Sequence, residues 1–369
     1  MRRPLRVAHI SDCFAPRTGG IETQVAALAE QQQNTGLDIR VITATKGDGQ
    51  VAGLRVHRVV ANIPWDLPIH PRTRAHVQRL LAEDPVDVVH AHLGAVSPFA
   101  WGGVRAAHQL GIPTLVTVHS MWGPVARSGY RLSALCCGWR RWKLQMSAVS
   151  AAAARQVRAA LGGDVLLLPN GIDPKLWRGG IHLPHQGGPL RVVSVLRLAP
   201  RKRVVPLLHI AAQAAARTSR GVAVVIVGDG PALRRAQSRA VALMRKVPGL
   251  TVRFTGRLDR SGILQHFAEA DLFVQPSVRE SFGLAALEAR CAGVPVLARA
   301  ETGSGSFLVD GQSGRLVASD SAMVAAIVEL ASDPQALQTL REGAEIPVAE
   351  MTWPSVLAAV DEAYRGLLA

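Results

Sequence analysis

Short apolar runs alternate with longer amphipathic stretches along most of the chain. The short runs are rich in Val, Ile and Leu and predict buried parallel strands. The stretches between them carry apolar residues three or four positions apart and predict helices. In the first half, the predicted strands are residues 5–11, 39–43, 53–60, 87–92, 114–119, 147–150 and 165–168.

The strand–helix pattern starts again after residues 174–189, a stretch rich in Gly, Pro and His that is typical of a linker. The predicted strands of the second half are residues 191–197, 222–227, 252–256, 271–274, 294–298 and 316–317. Two series of this kind predict an α/β protein with two Rossmann-like, doubly wound domains that face each other across an interdomain cleft. We place the first domain at residues 1–175 and the second at residues 176–352.

The second half contains two glutamates, Glu280 and Glu288, eight positions apart after the predicted strand 271–274. We expect a helix to begin near Phe282, which puts the two carboxylates roughly 12 Å apart along its axis. The two carboxylates of a glycosidase lie about 5–9.5 Å apart, across one bond. The spacing therefore favours holding two ends of one long ligand over sharing one bond.

Between these glutamates, the backbone amides of Phe282, Gly283 and Leu284 would lie at the helix start, where an anion is favoured. Gly283 permits a close approach of ligand to backbone. A carboxylate, an anion site and a second carboxylate would suit a sugar, a diphosphate and a ribose. The alternative is an amphipathic helix with two solvated glutamates.

Other charged or glycine-rich segments follow predicted strands of the second half: Arg197 with Lys202, Gly228 to Gly230, and Gly256 with Arg257. Cations beside a strand end can neutralise a diphosphate leaving group. Each cation alone is more often a solvated surface charge, but its coincidence with the other segments at strand ends favours the ligand-binding interpretation. The chain has no Asp-x-Asp pair, so the sequence does not indicate a bridging metal.

In the first half, Gly19 and Gly20 lie between the strand 5–11 and a predicted helix. This layout can cradle a phosphate, although a tight strand–helix turn would also explain it. His90 and His92 lie on one face of a strand, where packing or hydrogen bonding is a better explanation than a metal. His119 ends the strand 114–119, at the sheet edge where ligands of open α/β sheets bind.

Residues 121–143 are predicted to be irregular, with tryptophans set among arginines, including Arg140 and Arg141. This mixture suits an acceptor site or a membrane surface, and an ordinary surface loop would explain it equally. The formal net charge of +15 favours anionic partners. The four cysteines show no CxxC pair, and no signal peptide or uncharged membrane-spanning run is evident, which indicates a reduced, cytoplasmic protein.

Taken together, these segments resemble the retaining glycosyltransferases of family 4, which have the GT-B fold. The resemblance runs through nearly the whole chain in the family's order. The matching segments are residues 19–22, 87–92, 118–119, 169–173, Arg197 with Lys202, residues 227–231, 254–256, 280–288 and 291–296.

The resemblance implies a role for each matching residue. Arg197 and Lys202 would grip the donor diphosphate, Glu280 the sugar hydroxyls, and Glu288 the ribose. The segment Ser281, Phe282, Gly283 and Leu284 would contact sugar and phosphate, Gly256 and Arg257 the base, and Gly19 and Gly20 the phosphate. His119 would face the reacting sugar.

The family's chemistry implies hexosyl transfer with retention from a UDP- or GDP-sugar to a hydroxyl acceptor. The leaving phosphate would take the acceptor's proton, with no metal and no cofactor. The resemblance also implies that a last helix, at about residues 353–369, returns to the first domain. The basic first domain favours a peripheral contact with the inner membrane face.

The segment 301–306 departs from the family pattern, because Ser306 stands where a glutamate is usual. This leaves donor recognition there open, and the acceptor cannot be read from the sequence. The competing interpretations are a GT-B-type epimerase and a non-catalytic nucleotide-sugar binder. A nucleic-acid-binding protein is disfavoured, because no motif of that kind is present.

Overall fold

The computed structural model describes residues 3–47, 50–51, 53–61, 67–139, 142–178 and 187–369, with the backbone alone at residues 50 and 137. The chain divides into two compact units. The first contains Met1–Gly171 and Glu350–Ala369, and the second contains Ile172–Ala349. Most of the predicted linker, residues 179–186, lies outside the described residues.

The first unit is built on an eight-stranded sheet whose strands are parallel except for the β3–β4 pair. Its order is β3-β4-β2-β1-β5-β6-β7-β8. The strands are β1 Arg6–Ser11, β2 Asp38–Thr43, β3 Gln50–Val51, β4 Leu54–Arg58, β5 Val88–Leu93, β6 Thr114–Val118, β7 Leu144–Ala148 and β8 Val165–Leu167.

Five helices follow these strands in the described part of the first unit. They are α1 Gly20–Asn34, α2 Thr73–Glu83, α3 Pro98–Gln109, α4 Pro124–Cys137 and α5 Ala151–Leu161. The sequence predicted most of this alternation because β1, β2, β5 and β6 are buried along nearly their whole length.

The prediction of an irregular segment at residues 121–143 was wrong, because most of it forms α4. Pro124 occupies the first turn of α4, where the missing amide hydrogen costs nothing, and Gly138 ends the helix in a left-handed conformation. The apolar residues of α4 are set among Arg127, Ser128, Gly129 and Arg131, which obscured the helical periodicity in the sequence. Arg140 and Arg141 lie outside the described residues.

The second unit is built on a six-stranded parallel sheet in the order β11-β10-β9-β12-β13-β14. The strands are β9 Leu190–Val195, β10 Val222–Val227, β11 Leu250–Gly256, β12 Leu272–Gln275, β13 Val296–Arg299 and β14 Gly314–Val317. The helices are α6 Val204–Ala215, α7 Leu233–Lys246, α8 Arg260–Glu269, α9 Leu284–Cys291, α10 Asp320–Ser332 and α11 Pro334–Glu345.

The chain ends in α12, Trp353–Leu368, which belongs to the first unit. Its apolar face joins the core that α1 forms with the sheet, and Tyr364 is fully buried there. Trp353 packs on Gly171, where a Cβ atom would lie 2.4 Å from the indole ring. Among the described helices, none has the length and apolar character required to cross a bilayer.

Candidate active site

In the second unit, backbone hydrogen bonds join the loops that follow three neighbouring strands. The Leu198 amide donates to the Asp229 carbonyl at 2.9 Å, and the Gly228 amide donates to the Gly256 carbonyl at 2.7 Å. The loops that follow β9, β10 and β11 therefore form one connected surface. Arg197 and Arg257 are exposed on it.

Steric contacts require a glycine at position 228. Its φ of +133° is accessible to glycine, and a Cβ atom there would lie 2.0 Å from the Leu196 carbonyl oxygen. The same holds at Gly230, where a Cβ atom would lie 2.6 Å from the Leu198 carbonyl oxygen. The two glycines therefore allow the loops after β9 and β10 to touch.

Lys202 and Glu280 meet at this edge of the sheet. The Lys202 Nζ atom donates to the Glu280 Oε2 atom at 2.5 Å, in a partly buried ion pair. Lys202 ends a short 3-10 turn, Pro200–Lys202, and the next residue, Arg203, has a left-handed backbone with φ of +61°. Arg203 is held by an ion pair with Asp320.

Because an ammonium group has three N–H donors, Lys202 can hold Glu280 and still donate to an anion. The pair therefore brings a carboxylate and a cation with spare donors to one point. A carboxylate can accept hydrogen bonds from hydroxyl groups, and an ammonium group can donate to a phosphate.

The helix that follows Glu280 begins later than predicted, at Leu284 instead of near Phe282. Gly283 has a left-handed backbone with φ of +96°, which marks the turn into α9. The Phe282 side chain is buried against Phe307, with ring centroids 5.5 Å apart. Phe282 therefore anchors the loop, and the first amides of α9 have no acceptor within the helix.

Glu288 lies in the second turn of α9 and is half-buried. Burial raises the pKa of its carboxyl to about 7, and the charge of Arg260 partly opposes this shift. Arg260 lies over the Trp177 ring at 5.8 Å from the centroid. The carboxyl oxygens of Glu288 can accept hydrogen bonds from the hydroxyls of a ligand.

The 3-10 turn Gly303–Ser306 contacts the backbone of the Glu280 loop. The Gly303 amide donates to the Glu280 carbonyl at 2.7 Å. A Cβ atom on Gly303 would lie 2.1 Å from the Ser281 carbonyl oxygen, so only glycine permits this contact. The sequence analysis singled out Ser306 in this segment and did not predict a role for Gly303. The two nearby glycines, Gly303 and Gly305, were the available signal of a tight turn.

Gly19, Gly20 and His119 belong to the first unit. Gly20 begins α1, and the exposed Gly19 precedes it with an extended backbone. A Cβ atom on Gly19 would lie 2.4 Å from the Glu22 Oε2 atom. His119 directly follows β6 and is half-buried, and burial lowers its pKa to about 4.

His119 is the outermost member of a buried group of histidines that also contains His9, His90 and His92. The His92 Nδ1 atom lies 3.0 Å from the His119 Nε2 atom, and the His92 Nε2 atom lies 2.9 Å from the His9 Nδ1 atom. His9 was missed in the sequence. Its position at the centre of the first apolar strand was the available signal.

Three of these side chains, those of His9, His90 and His92, are close enough to share a metal ion. However, both ring nitrogens of each side chain already have hydrogen-bond partners. A metal would have to displace those bonds. Hydrogen bonding therefore accounts for the geometry, and we assign no metal to this cluster.

Two family models match the chain. The model "Glycosyl transferases group 1" matches residues 182–346, and the model "Glycosyltransferase Family 4" matches residues 18–176. Together they cover most of both units.

Several curated proteins are similar over nearly their whole length. A GDP-mannose-dependent alpha-mannosyltransferase of Mycolicibacterium smegmatis is 28% identical and covers 99% of this chain and 98% of its own. A phosphatidyl-myo-inositol mannosyltransferase of Mycobacterium leprae is 28% identical, with 94% and 93% covered.

Solved structures show the same fold at low identity. The Anabaena protein HepE, in complex with UDP and glucose, has a TM-score of 0.76 at 18% identity and covers 98% of this chain and 100% of its own. Sucrose-phosphate synthase from Thermosynechococcus elongatus has a TM-score of 0.77 at 20% identity, with 98% and 99% covered.

The fold, the strand-end loops and these similarities define the class of protein. The chain is a glycosyltransferase with the GT-B fold, and it belongs to the group 1 transferases of family 4. The predicted family, fold class and enzyme class are confirmed.

Proposed function

We propose that this protein transfers a hexosyl unit from a UDP- or GDP-sugar to a hydroxyl acceptor with retention of configuration. The observation that carries the proposal is the Lys202–Glu280 ion pair beside the start of α9. The pair offers a carboxylate for sugar hydroxyls, and the ammonium and the helix amides offer donors for the diphosphate.

The position of the Lys202–Glu280 pair suggests which other residues contact the nucleotide sugar. Arg197 lies on the same surface as the loops of Gly228 and Gly256, and we infer that it binds the diphosphate. Glu288, one turn further along α9, would hold the ribose. Arg257 would contact the base.

GDP-mannose is the donor that we favour, because the similar M. smegmatis protein is named for it. A thermal-shift screen of GDP-, UDP- and ADP-sugars tests this choice. A bound donor raises the melting temperature by linkage, by an amount that grows with ligand concentration. Stabilisation by UDP-glucose alone would reassign the donor, and no stabilisation by any nucleotide sugar would contradict the proposal.

Retention can be tested independently of the donor's identity. We expect an α-linked product from an α-linked donor, which the one-bond ¹³C–¹H coupling at the anomeric carbon in an NMR spectrum of the product reports. A β-linked product would contradict the proposed stereochemistry.

We infer that the cations and the helix amides neutralise the diphosphate without a metal. The absence of an Asp-x-Asp pair supports this inference. Transfer should therefore continue unchanged in EDTA. Activity lost in EDTA and restored by Mg²⁺ would refute it.

The first unit carries a surface that suits a lipid-linked acceptor. On α4, Val125, Leu132 and Leu135 are 87%, 63% and 82% exposed on one face. Arg131 lies beside this face. Exposed apolar side chains beside a cation on a helix favour the surface of an anionic membrane, and we propose peripheral binding there.

Vesicle sedimentation tests the membrane contact. We expect binding to vesicles that contain anionic lipid, weaker binding to zwitterionic ones, and a marked loss in L132D/L135D. Val241→Asp, on the exposed side of α7, is a matched control that leaves binding intact. Equal binding by both variants would exclude α4 as the contact.

A further inference from the structure

A row of polar side chains crosses the otherwise apolar sheet of the first unit. In the register of the sheet, His9 pairs with His90, His92 with Thr117, and Thr117 with Ser147. His90 and His92 are two positions apart, so all these side chains lie on one face of the sheet. Burying so many polar groups is costly unless each has a partner.

Each group does have a partner, because the row is one continuous hydrogen-bond chain. Gln32 of α1 and Tyr364 of α12 complete it. The contacts are Ser147 Oγ–Val116 O 3.3 Å, Thr117 Oγ1–Ser147 Oγ 2.7 Å, His90 Nε2–Thr117 Oγ1 2.7 Å, Tyr364 Oη–His90 Nδ1 2.8 Å, Gln32 Nε2–Tyr364 Oη 3.2 Å, Gln32 Oε1–His9 Nε2 2.7 Å, His9 Nδ1–His92 Nε2 2.9 Å and His92 Nδ1–His119 Nε2 3.0 Å.

One end of this chain fixes the direction of its hydrogen bonds. The Val116 carbonyl can only accept, so the Ser147 hydroxyl donates to it. Ser147 then accepts from Thr117, and Thr117 accepts from the His90 Nε2–H group. The His90 Nδ1 atom consequently accepts from the hydroxyl of Tyr364.

The same direction continues from Tyr364 to His119 in the hydrogen-bond chain. Because its own proton is used at His90, the Tyr364 oxygen accepts from the Gln32 amide nitrogen, and the Gln32 oxygen accepts from His9 Nε2–H. His9 Nδ1 then accepts from His92 Nε2–H, and His92 Nδ1 accepts from His119 Nε2–H. The reverse direction would leave the contact between Ser147 and Val116 unmade.

This assignment requires every ring to be neutral, with one proton each. Burial lowers the pKa of His9 to about 4 and the pKa values of His90 and His92 well below the usual value. Near pH 7 the four rings therefore carry one N–H each, as the chain requires.

We propose that this chain fixes His119 as its Nε2–H tautomer, so that Nδ1 is a hydrogen-bond acceptor, with Tyr364 of α12 as the positioning residue. The group that meets Nδ1 must then be a donor. Where the proposed function holds, a substrate hydroxyl is the donor that His119 selects.

Tyr364→Phe tests this assignment because it removes the central hydroxyl and keeps the ring. Without that hydroxyl, Gln32 is free to reverse its amide, and His9, His92 and His119 can reverse with it. We expect long-range ¹H–¹⁵N NMR of the ¹⁵N-histidine-labelled full chain to show His119 as Nε2–H in the wild type. In Tyr364→Phe, a population with Nδ1–H should appear.

The chain offers a matched control in Tyr130, its other tyrosine, which is also buried and lies outside the hydrogen-bond chain. Tyr130→Phe should leave the His119 tautomer unchanged. If Tyr364→Phe fails to fold, Thr117→Val interrupts the hydrogen-bond chain at another point. Thr117→Ser should then restore the wild-type spectrum.

Two NMR results would overturn the proposal: Nδ1–H at His119 in the wild type, or a tautomer that the break at Tyr364 or Thr117 does not change. These spectra need no substrate, so they stand whether or not the proposed transfer is correct. With a nucleotide sugar that the enzyme uses, kcat of Tyr364→Phe should fall in proportion to the fraction of molecules in which His119 is the Nδ1–H form. A purely structural role would not produce that proportionality.

Discussion

The two units of this glycosyltransferase hold their candidate site residues by opposite means. In the second unit, Lys202 and Glu280 lie on loops at the strand ends, tied together by backbone hydrogen bonds and glycine contacts. In the first unit, His119 ends a buried chain of neutral side chains that runs across the sheet. The second unit presents charged side chains on surface loops. The first unit sets the direction of hydrogen bonds through buried side chains.

This difference determines what a substitution should do. On the second unit, removing a charge should change ligand binding and catalysis with little effect on folding. In the first unit, removing one neutral side chain of the hydrogen-bond chain should alter stability and tautomer state together, because these groups depend on one another.

The largest effect is expected from Glu280→Ala and Lys202→Ala. Each removes one partner of the ion pair that we assign to the donor, and loss of one preorganised charge costs about 10²- to 10³-fold in rate. Steady-state transfer assays measure this. Lys246→Ala, on the surface of α7, is the control, and full activity in either site variant would contradict the assignment.

A backbone change in the support of this site should have the next largest effect. In Gly303→Ala, the new Cβ atom would lie 2.1 Å from the Ser281 carbonyl oxygen and should displace the Glu280 loop, at a cost of about 1–3 kcal/mol. Gly305→Ala, in the same turn, meets its nearest atom only at 3.8 Å. Denaturant unfolding and transfer rates should separate the two variants, and equal behaviour would show that the turn does not support Glu280.

Buried histidines should make the first unit sensitive to acid. Since burial holds the folded-state pKa of His9 at about 4, the unfolded chain takes up protons first as the pH falls below about 6.5. Stability should therefore be lost between about pH 6.5 and pH 4, by on the order of 3 kcal/mol for His9 alone. Denaturant midpoints are best measured across this range in Glu288→Gln, which lacks the opposing titration of Glu288, and constant midpoints in that variant would refute the assignment.

Glu288 should respond in the opposite direction, and the effect should be smaller because its side chain is only half-buried and water screens its charge, whereas His9 is fully buried. Its folded-state pKa is raised to about 7, so the folded chain keeps a proton that the unfolded chain releases above about pH 4.5. Stability is lost as the pH rises from about 4.5 through 7, and Glu288→Gln should remove on the order of 2 kcal/mol of this dependence. A variant with the wild-type pH profile would show that the carboxyl is solvated.

The meeting of Lys202 and Glu280 was predictable from the sequence because both follow parallel strands of one sheet. Glu280, Gly283 and Glu288 lie within one segment, and the rule that ligands bind at strand ends places Arg197 and Lys202 beside them. The start of α9 was misplaced because the left-handed backbone of Gly283 cannot be read from spacing alone.

The first unit shows what a sequence pattern does not contain. His90 and His92 were visible as a pair, but their partners, His9, Gln32 and Tyr364, come from three other elements distributed along the chain. The hydrogen-bond chain exists only once strand register and helix packing bring those side chains together, and no local spacing encodes it.

The central claim is that the second unit holds the nucleotide sugar between Glu280 and Glu288. Hydrogen–deuterium exchange of the full chain, with and without the nucleotide sugar that stabilises it most, tests this claim most directly. We predict slower exchange at the amides of residues 280–288 and of the loops at Lys202 and Gly256. Protection that leaves residues 280–288 unchanged would contradict the account.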